Sequence, residues 1–311
     1  MYDLIIIGGG PAGITSGIYA AREKLKTLLI TKDFRGQIAN KSLLIENYPG
    51  FEQISGIELL QKLEAQVRKQ EIEIKIETVV KVEKTGQDFI ILTENQNKFF
   101  AKAVIIATGA NPRPLKVPGE KEFLGKGVGY CATCDAPLFK NKIVAVVGGG
   151  NTALEYAVAL TKWAKQVYLM VREEEIVAEQ AIQERVKADS KIKIIKPALL
   201  KEIKGEKFVN LVVYQDLKTG VMVELKEVEG VFVAIGTIPA TSFVKELVDF
   251  SQLGEIVVDP QTGETKTPGL FAAGDVDNLS YRQIVIAAGE GAKVAISASH
   301  YLMKNVKNQK N

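Results

Sequence analysis

Residues 131–135 read CATCD, and within them lie both cysteines of the chain, Cys131 and Cys134, with a carboxyl, Asp135, directly after the second. Two thiols at this spacing can close a disulfide or hold a metal. Structural zinc takes four ligands, and beyond the thiols the chain has a single histidine, His300, in a helix-like run far downstream, so no metal is expected. Buried structural cysteines would sit in a sustained apolar period, whereas CATCDAP is flanked by Gly129 and Pro137. A redox dithiol is the chemistry that fits. A carboxyl partly desolvated beside a thiolate holds its proton toward neutral pH and can release it to a leaving thiolate, which makes Asp135 the candidate acid.

A redox dithiol needs an electron source, and glycine-rich loops stand on either side of this one. YDLIII (2–7) is a continuous apolar run of the kind buried on both faces of a parallel sheet. It is followed by Gly8-x-Gly10-x-x-Gly13 and by ITSGIYAAREK at helical spacing. Gly8 permits the tight turn, Gly10 lets backbone approach a pyrophosphate, and Gly13 lets helix pack on strand, with the helix N-terminus facing the phosphates. TLLITKD (27–33) reads as the next strand and ends at Asp33, placed either to meet a ribose hydroxyl or to face solvent. The unit recurs over 142–175 as an apolar strand, Gly148-x-Gly150-x-x-Ala153, an amphipathic helix and the strand QVYLMV. Two dinucleotide loops flanking a dithiol imply an electron path from nicotinamide through flavin to a disulfide.

The remaining composition narrows the setting. A chain of 311 residues has room for two domains. Lys and Arg total 40 against 37 Asp and Glu, with no basic stripe, which argues against nucleic acid as a partner. The opening MYDLIIIGGG carries an acid at Asp3 and too short an apolar run for a signal peptide, and no segment approaches the ~20 apolar residues of a membrane span. Two cysteines exclude a disulfide scaffold and lead to the expectation of a cytoplasmic protein.

The segments GGGPAG (8–13), Gly36-Gln37, ENYPGF (46–51), IATGA (106–110), CATCD, GGGNTA (148–153), AIGTIP (234–239) and AAGDVDNLSYRQ (272–283) run nearly the length of the chain. Together they resemble the low-molecular-weight, bacterial-type thioredoxin reductases, class II of the pyridine nucleotide-disulfide oxidoreductases. The resemblance implies an α/β fold of two Rossmann-like dinucleotide-binding domains with ββα layers, the second inserted into the first. It implies FAD in a discontinuous domain of 1–113 and 242–311, and the pyridine nucleotide and dithiol in 114–241. A homodimer, and thioredoxin or a glutaredoxin-like protein as the disulfide substrate, are further implications.

By the same resemblance, Gly8, Gly10, Pro11, Ala12 and Gly13 surround the flavin pyrophosphate, Gln37 and Asn47 lie on the side facing the isoalloxazine, and Thr108 and Gly109 are further cofactor contacts. Gly274 and Asp275 meet the ribitol or phosphate region, and Arg282, Gln283 and Ile284 open the last helix. Gly148, Gly150, Asn151, Thr152 and Ala153 hold the nicotinamide dinucleotide. Of the thiols, Cys134 faces the flavin and Cys131 attacks the substrate. A turn of the inserted domain about the proline-flanked connections near 111–119 and 236–243 is the family's means of serving both partners.

One departure bears on the donor. Where the family grips the 2′-phosphate of NADPH with His-Arg-Arg and a further Arg, this chain has Val171, Arg172, Glu173 and Val177. A phosphate ~5 Å from a carboxylate meets repulsion of several kcal/mol at an effective dielectric of ~20. Glu173 can instead accept from a ribose hydroxyl, so NADH is expected over NADPH. A ferredoxin-fed flavin thioredoxin reductase is the main rival, with a reductase of a glutaredoxin-like protein disulfide oxidoreductase beside it. A ferredoxin–nicotinamide reductase of this type would lack the CxxC. An alkyl hydroperoxide reductase flavoprotein is expected to carry an additional thioredoxin-like domain ahead of this stretch.

Overall fold

The computed structural model describes residues 1–34, 36, 45, 47–279 and 281–308, with side chains throughout these except at 133, 134 and 305–308. The chain divides into two compact units, one from the described residues of Met1–Asn40, Leu44–Asn111 and Ile238–Asn311, the other from Pro112–Thr237.

The first unit opens with β1 (Tyr2–Ile7), α1 (Pro11–Arg22), β2 (Thr27–Thr31), α2 (Gly56–Arg68), β3 (Glu73–Ile76), β4 (Val79–Thr85), β5 (Asp88–Thr93), β6 (Lys98–Ile106) and β7 (Ala110–Pro112). The chain then forms β8 (Val128–Gly129), α3 (Ala132–Asp135), a 3-10 turn (Ala136–Phe139), β9 (Ile143–Val147), α4 (Asn151–Thr161), β10 (Gln166–Met170), α5 (Gln180–Ala188) and β11 (Ile192–Ile195). It continues through β12 (Ala198–Gly205), β13 (Val209–Asp216), β14 (Met222–Lys226), β15 (Val228–Val233) and β16 (Thr237–Pro239), and returns to the first unit with β17 (Leu270–Ala272) and α6 (Ile284–Asn308).

The first sheet runs β3-β2-β1-β6-β5-β4, with β17 also paired to β6. Strand β6 is the fork. Its first half pairs antiparallel with β5, its second half pairs parallel with β17, and β1 lies along its other edge. Alternate residues of β1 enter opposite layers, Leu4 and Ile6 packing with α1 and α6, and Ile5 and Ile7 packing with Val244, Val248 and Ile256. Burial on both faces accounts for the absence of polar alternation in YDLIII. Helix α1 buries Ala12, Gly13, Ser16, Gly17 and Ala20, small residues that let its axis approach the sheet and α6. Helix α2 starts at Ser55, whose hydroxyl accepts from the Glu58 N–H at 3.2 Å.

The second unit holds a parallel five-stranded sheet, β11-β10-β9-β15-β8, and a separate antiparallel sheet, β12-β13-β14. The antiparallel strands of the two units therefore attach differently. In the first, β4 and β5 continue the main sheet through β6, whereas in the second the three strands form a sheet of their own. The connections β7 and β16 pair as a two-stranded ladder. The unit limits fall within it, at 111/112 and 237/238 rather than 113/114 and 241/242, because the chain changes unit along these paired strands. No described helix is long and apolar enough to cross a membrane.

Candidate active site

In the first unit, Ile7 of β1 and Ala272 of β17 are both in register with Ile106 of β6, so Gly8, Ala107 and Ala273 leave the sheet side by side. A Cβ on Gly8, at φ +118°, would lie 2.3 Å from the Ala107 carbonyl oxygen, and one on Gly13 would lie 1.9 Å from that of Gly8. Gly10 differs: it is the N-cap of α1, and among the described residues a Cβ there would meet nothing within 4 Å and no side chain caps the helix. Pro11 opens the helix, where a missing N–H costs nothing. Ala12 is enclosed, since a Cβ on Gly274 would sit 3.2 Å from its Cβ and one on Gly291 of α6 would sit 2.2 Å from its carbonyl oxygen. A helix N-terminus with no side-chain cap among the described residues, walled by backbone, fits a dinucleotide pyrophosphate.

The other residues singled out in this unit fall around that loop or beyond it. Thr108 Oγ1 donates to the Ala240 carbonyl at 2.8 Å, and the Gly109 carbonyl (φ +64° at that residue) accepts from the Ala240 N–H at 3.0 Å. Half-buried Asp275 lies in a turn closed by the Asp277 N–H on the Gly274 carbonyl at 2.9 Å, well ahead of α6, so it is not the cap of that helix. Helix α6 begins at Ile284, with Arg282 and Gln283 just before it. Asn47 Nδ2 donates to Gln283 Oε1 at 3.2 Å, which brings together residues 236 apart in sequence. The Arg282 guanidinium pairs with buried Glu255. Asp33 is exposed past the end of β2, its backbone against Gly9 and its carboxylate accepting from the Gly36 N–H at 3.1 Å. Gln37 lies outside the described residues.

In the second unit, Gly148 (φ +146°) would bring a Cβ to 2.2 Å from the Ala234 carbonyl oxygen, and one on Gly149 would meet Val171 Cγ1 at 2.7 Å. Among the described residues, no side chain bonds the start of α4 at Gly150, and a Cβ there would have the Val177 carbonyl oxygen nearest, at 3.8 Å. Exposed Asn151 exchanges two hydrogen bonds with Glu179, Thr152 is exposed beside it, and Ala153 is fully buried. Arg172 and Glu173 are exposed directly past buried Val171. The next acid, Glu174, is engaged by two lysines: Lys218 Nζ lies 2.8 Å from its carboxylate and Lys196 Nζ donates to its carbonyl at 2.7 Å. Val177 is 78 % exposed.

The dithiol segment belongs to this same unit. Strand β8 pairs with β15, and the chain turns from it into α3 at Cys131. Cys131 is 5 % exposed and disulfide-bonded, and the chain has one other cysteine, Cys134. The Asp135 N–H donates to the Cys131 carbonyl at 3.3 Å, and a Cβ on Gly129 would stand 2.8 Å from Asp135 Oδ2, so glycine at 129 makes room for that carboxyl. Burial pushes Asp135 above the usual carboxylate range. Tyr156 of α4 donates its hydroxyl to the Tyr130 carbonyl at 3.1 Å, so the helix that leaves the second glycine loop also touches the dithiol strand. His300, the one imidazole, is exposed on α6. Among the described residues no group of three or more acid, cysteine or histidine side chains is placed to hold a metal.

Three acids that the sequence motifs do not single out belong to these surroundings. Glu290 of α6 accepts from the Gly274 N–H at 2.7 Å, and Glu255 holds Arg282. Asp277, 2 % exposed, accepts from the Leu279 N–H at 2.8 Å through Oδ1, while its Oδ2 finds no partner among the described residues. Burial, and then the charge of Glu290, pushes Asp277 up to about 7. Its place two residues after Asp275 in one turn was the available signal. Nothing in the sequence tied Glu290 or Glu255 to their partners.

The sequence profile of the pyridine nucleotide-disulphide oxidoreductases matches residues 2–291. The chain belongs to this family. It is 41 % identical over 306 residues to a protein named NADH dehydrogenase from Ferdinandcohnia aciditolerans, and 39 % identical over 308 residues to an alkyl hydroperoxide reductase component of Pseudomonas aeruginosa. The first match covers 98 % and the second 97 % of this chain, which spans 58 % of the length of each relative. Among solved structures, thioredoxin reductase of Lactococcus lactis superimposes with a TM-score of 0.86 at 39 % identity, over 98 % of this chain and 100 % of that one. Thioredoxin reductase of T. acidophilum gives 0.82 at 36 % identity, over 96 % and 98 %. The fold is that of the low-molecular-weight thioredoxin reductases, with two Rossmann-like dinucleotide-binding domains, and within the family this chain is of their type.

Proposed function

We propose that this oxidoreductase is a flavin-dependent disulfide reductase that passes electrons from NADH, in preference to NADPH, through FAD and the Cys131–Cys134 dithiol to thioredoxin or a similar small redox protein. The observation that carries the reading is the dithiol itself: Cys131 is disulfide-bonded at the mouth of a short helix, with a half-buried acid four residues on, in a unit with its own dinucleotide loop. FAD, when bound, supplies a two-electron relay between a hydride donor and a disulfide. Gly8 to Gly13, Thr108, Gly109, Gly274 and Asp275 would hold it in the unit that contains the first loop, with Asn47 and Gln283 tied together beside them. The loop Gly148–Ala153 would hold the nicotinamide dinucleotide.

Asp135 is the proton carrier in this reading. Its carboxyl, lifted by burial, keeps a proton closer to neutrality than an exposed aspartate and delivers it to the thiolate that leaves as a disulfide opens. For the donor, exposed Glu173 offers an acceptor for a ribose hydroxyl, while Val177 supplies no cation. The name NADH dehydrogenase carried by one relative supports the same choice. The resemblance also supports a cytoplasmic homodimer, which light scattering can test.

The deciding experiment follows turnover with thioredoxin and each nucleotide in the wild type and in Cys131→Ser. The variant should lose disulfide reduction by at least about 1,000-fold while NADH still bleaches the flavin. A flavin that bleaches with neither nucleotide but does so with reduced ferredoxin favours the rival donor. A second reading rests on the likeness to the alkyl hydroperoxide reductase component, in which the same dithiol would feed a peroxide-reducing partner. Turnover with thioredoxin at a rate far above that with such a partner decides between them.

A further inference from the structure

The residue immediately before Cys131 is held at both ends. Tyr130 Oη donates to Glu120 Oε1 at 2.7 Å, and the Tyr130 carbonyl accepts from Tyr156 Oη at 3.1 Å. Burial, and then Glu120, raises Tyr130 above the ordinary tyrosine value, and burial pushes Tyr156 up to about 12, so both hydroxyls stay protonated donors.

Glu120 is the centre of this arrangement. It is 2 % exposed, and its carboxylate takes two further hydrogen bonds of 2.7 Å each, from the Leu115 N–H on Oε1 and the Lys116 N–H on Oε2. A carboxylate in such a place is tolerated only where donors meet it. Lys116 holds φ +61°, a conformation unfavourable for a residue other than glycine, and there presents its N–H to Glu120. The turn carrying Glu120 is anchored in turn: the Ile203 N–H of β12 donates to the Pro118 carbonyl at 3.0 Å, and Gly119 lies so close to Ile203 that a Cβ would stand 1.9 Å from its carbonyl oxygen. Glu120 thus ties the first residues of the second unit to the amino side of the dithiol.

We propose that Glu120 is a positioning residue for the dithiol: through Tyr130 it fixes the backbone before Cys131, and so sets the balance between the disulfide and dithiol forms. This rests on the reading of Cys131 and Cys134 as an exchanging pair. A disulfide and a hydrogen-bonded tether are overlapping restraints. Releasing the tether frees the reduced segment, which has no cross-link, more than the oxidised one, which keeps it. Loosening Tyr130 should therefore favour the dithiol.

The test is equilibration of the protein with mixtures of reduced and oxidised dithiothreitol, read by thiol titration. The reagent gives up two electrons and two protons and closes to its cyclic disulfide as the Cys131–Cys134 bond opens to two thiols. Tyr130→Phe removes the hydroxyl donor, and Glu120→Gln, whose amide nitrogen cannot accept from the Lys116 N–H, breaks the cluster from the other side. Each should shift the equilibrium about fivefold toward the dithiol, about 20 mV for a two-electron couple, and the double variant should shift it little further. A merely structural role would lower the Tm and leave the equilibrium within twofold of wild type, and that result in either variant that folds overturns the proposal. The measurement needs neither flavin nor NADH. Failure of cofactor binding would count against the functional reading and leave this result standing, while a native disulfide that dithiothreitol cannot open overturns both.

Discussion

The two glycine loops share a spacing and differ in what surrounds them. At the first, the backbone of α1 is pressed from three sides, by Gly8, by Gly274 after β17 and by Gly291 of α6, so that Ala12 and Gly13 have no room to change. At the second, Ala153 stands where the first has Gly13, its Cβ 3.0 Å from where a Cβ on Gly148 would be, and among the described residues Gly150 faces only the carbonyl of exposed Val177. The first loop is closed over by a helix from the far end of the chain, and the second by a short exposed segment of its own unit. A ligand that stays and a ligand that comes and goes make different demands on the same turn. Enclosure by helices suits retention, and an open loop suits exchange.

The widest gap should appear between matched substitutions. Gly13→Ala places a methyl 1.9 Å from the Gly8 carbonyl, forcing α1 away from β1. Flavin affinity should fall by about 100-fold or more, equivalent to about 3 kcal/mol, measured by fluorescence of released FAD. Ala153→Gly, its counterpart, should change KM for NADH by less than about threefold. Equal losses at the two positions would erase the distinction between them.

A smaller effect is expected where the second unit meets its thiols. Asp135 has its pKa raised by burial, so the protonated acid is present below that value and is lost as pH rises through it. The kcat for disulfide turnover should therefore fall on the alkaline side. Asp135→Asn should lower it by about 100-fold near neutrality and remove that limb. A variant that keeps the same alkaline decline would move the acid elsewhere.

Next comes the open side of the second loop. Glu173→Arg with Val177→Arg should improve kcat/KM for NADPH about tenfold relative to NADH, mostly through KM, because the 2′ position is remote from the hydride. The wild type should favour NADH. A tenfold preference of the wild type for NADPH would show that other cations, such as Lys196 and Lys218 at Glu174, already serve the phosphate.

The smallest effect concerns the enclosed side. Asp277 is raised from 3.8 to about 7, so the native state holds its proton more tightly than the unfolded chain. That contribution to stability is complete below pH 4 and is lost as pH rises through about 7. Above this window the ionised group faces Glu290 and Asp275, with Lys293 as partial relief. Asp277→Asn should accordingly raise the Tm by a few degrees at pH 8 and change it little at pH 4. An equal change at both pH values would assign the effect to packing.

What the amino-acid sequence determined by itself is whatever a short stretch of backbone demands. An apolar strand followed by glycines at fixed intervals and a helix start is a local requirement of a tight turn, and both copies were legible, as was the CxxC with its acid. The division of the chain was expected at the connections near 111–119 and 236–243, and the two compact units change at 111/112 and 237/238. Only the tertiary structure decided which distant groups meet: Asn47 with Gln283, Glu290 with the Gly274 N–H, Arg282 with Glu255, and Glu120 with Tyr130 and two backbone donors. These contacts carry no spacing, since they depend on strands of remote origin ending level in one sheet, as β1, β6 and β17 do at Ile7, Ile106 and Ala272. Charge was the least legible property. Glu174 is the acid next to Glu173 in the sequence, yet only the folded chain shows Lys218 beside its carboxylate, because whether a carboxylate repels or is paired depends on neighbours that the sequence does not place.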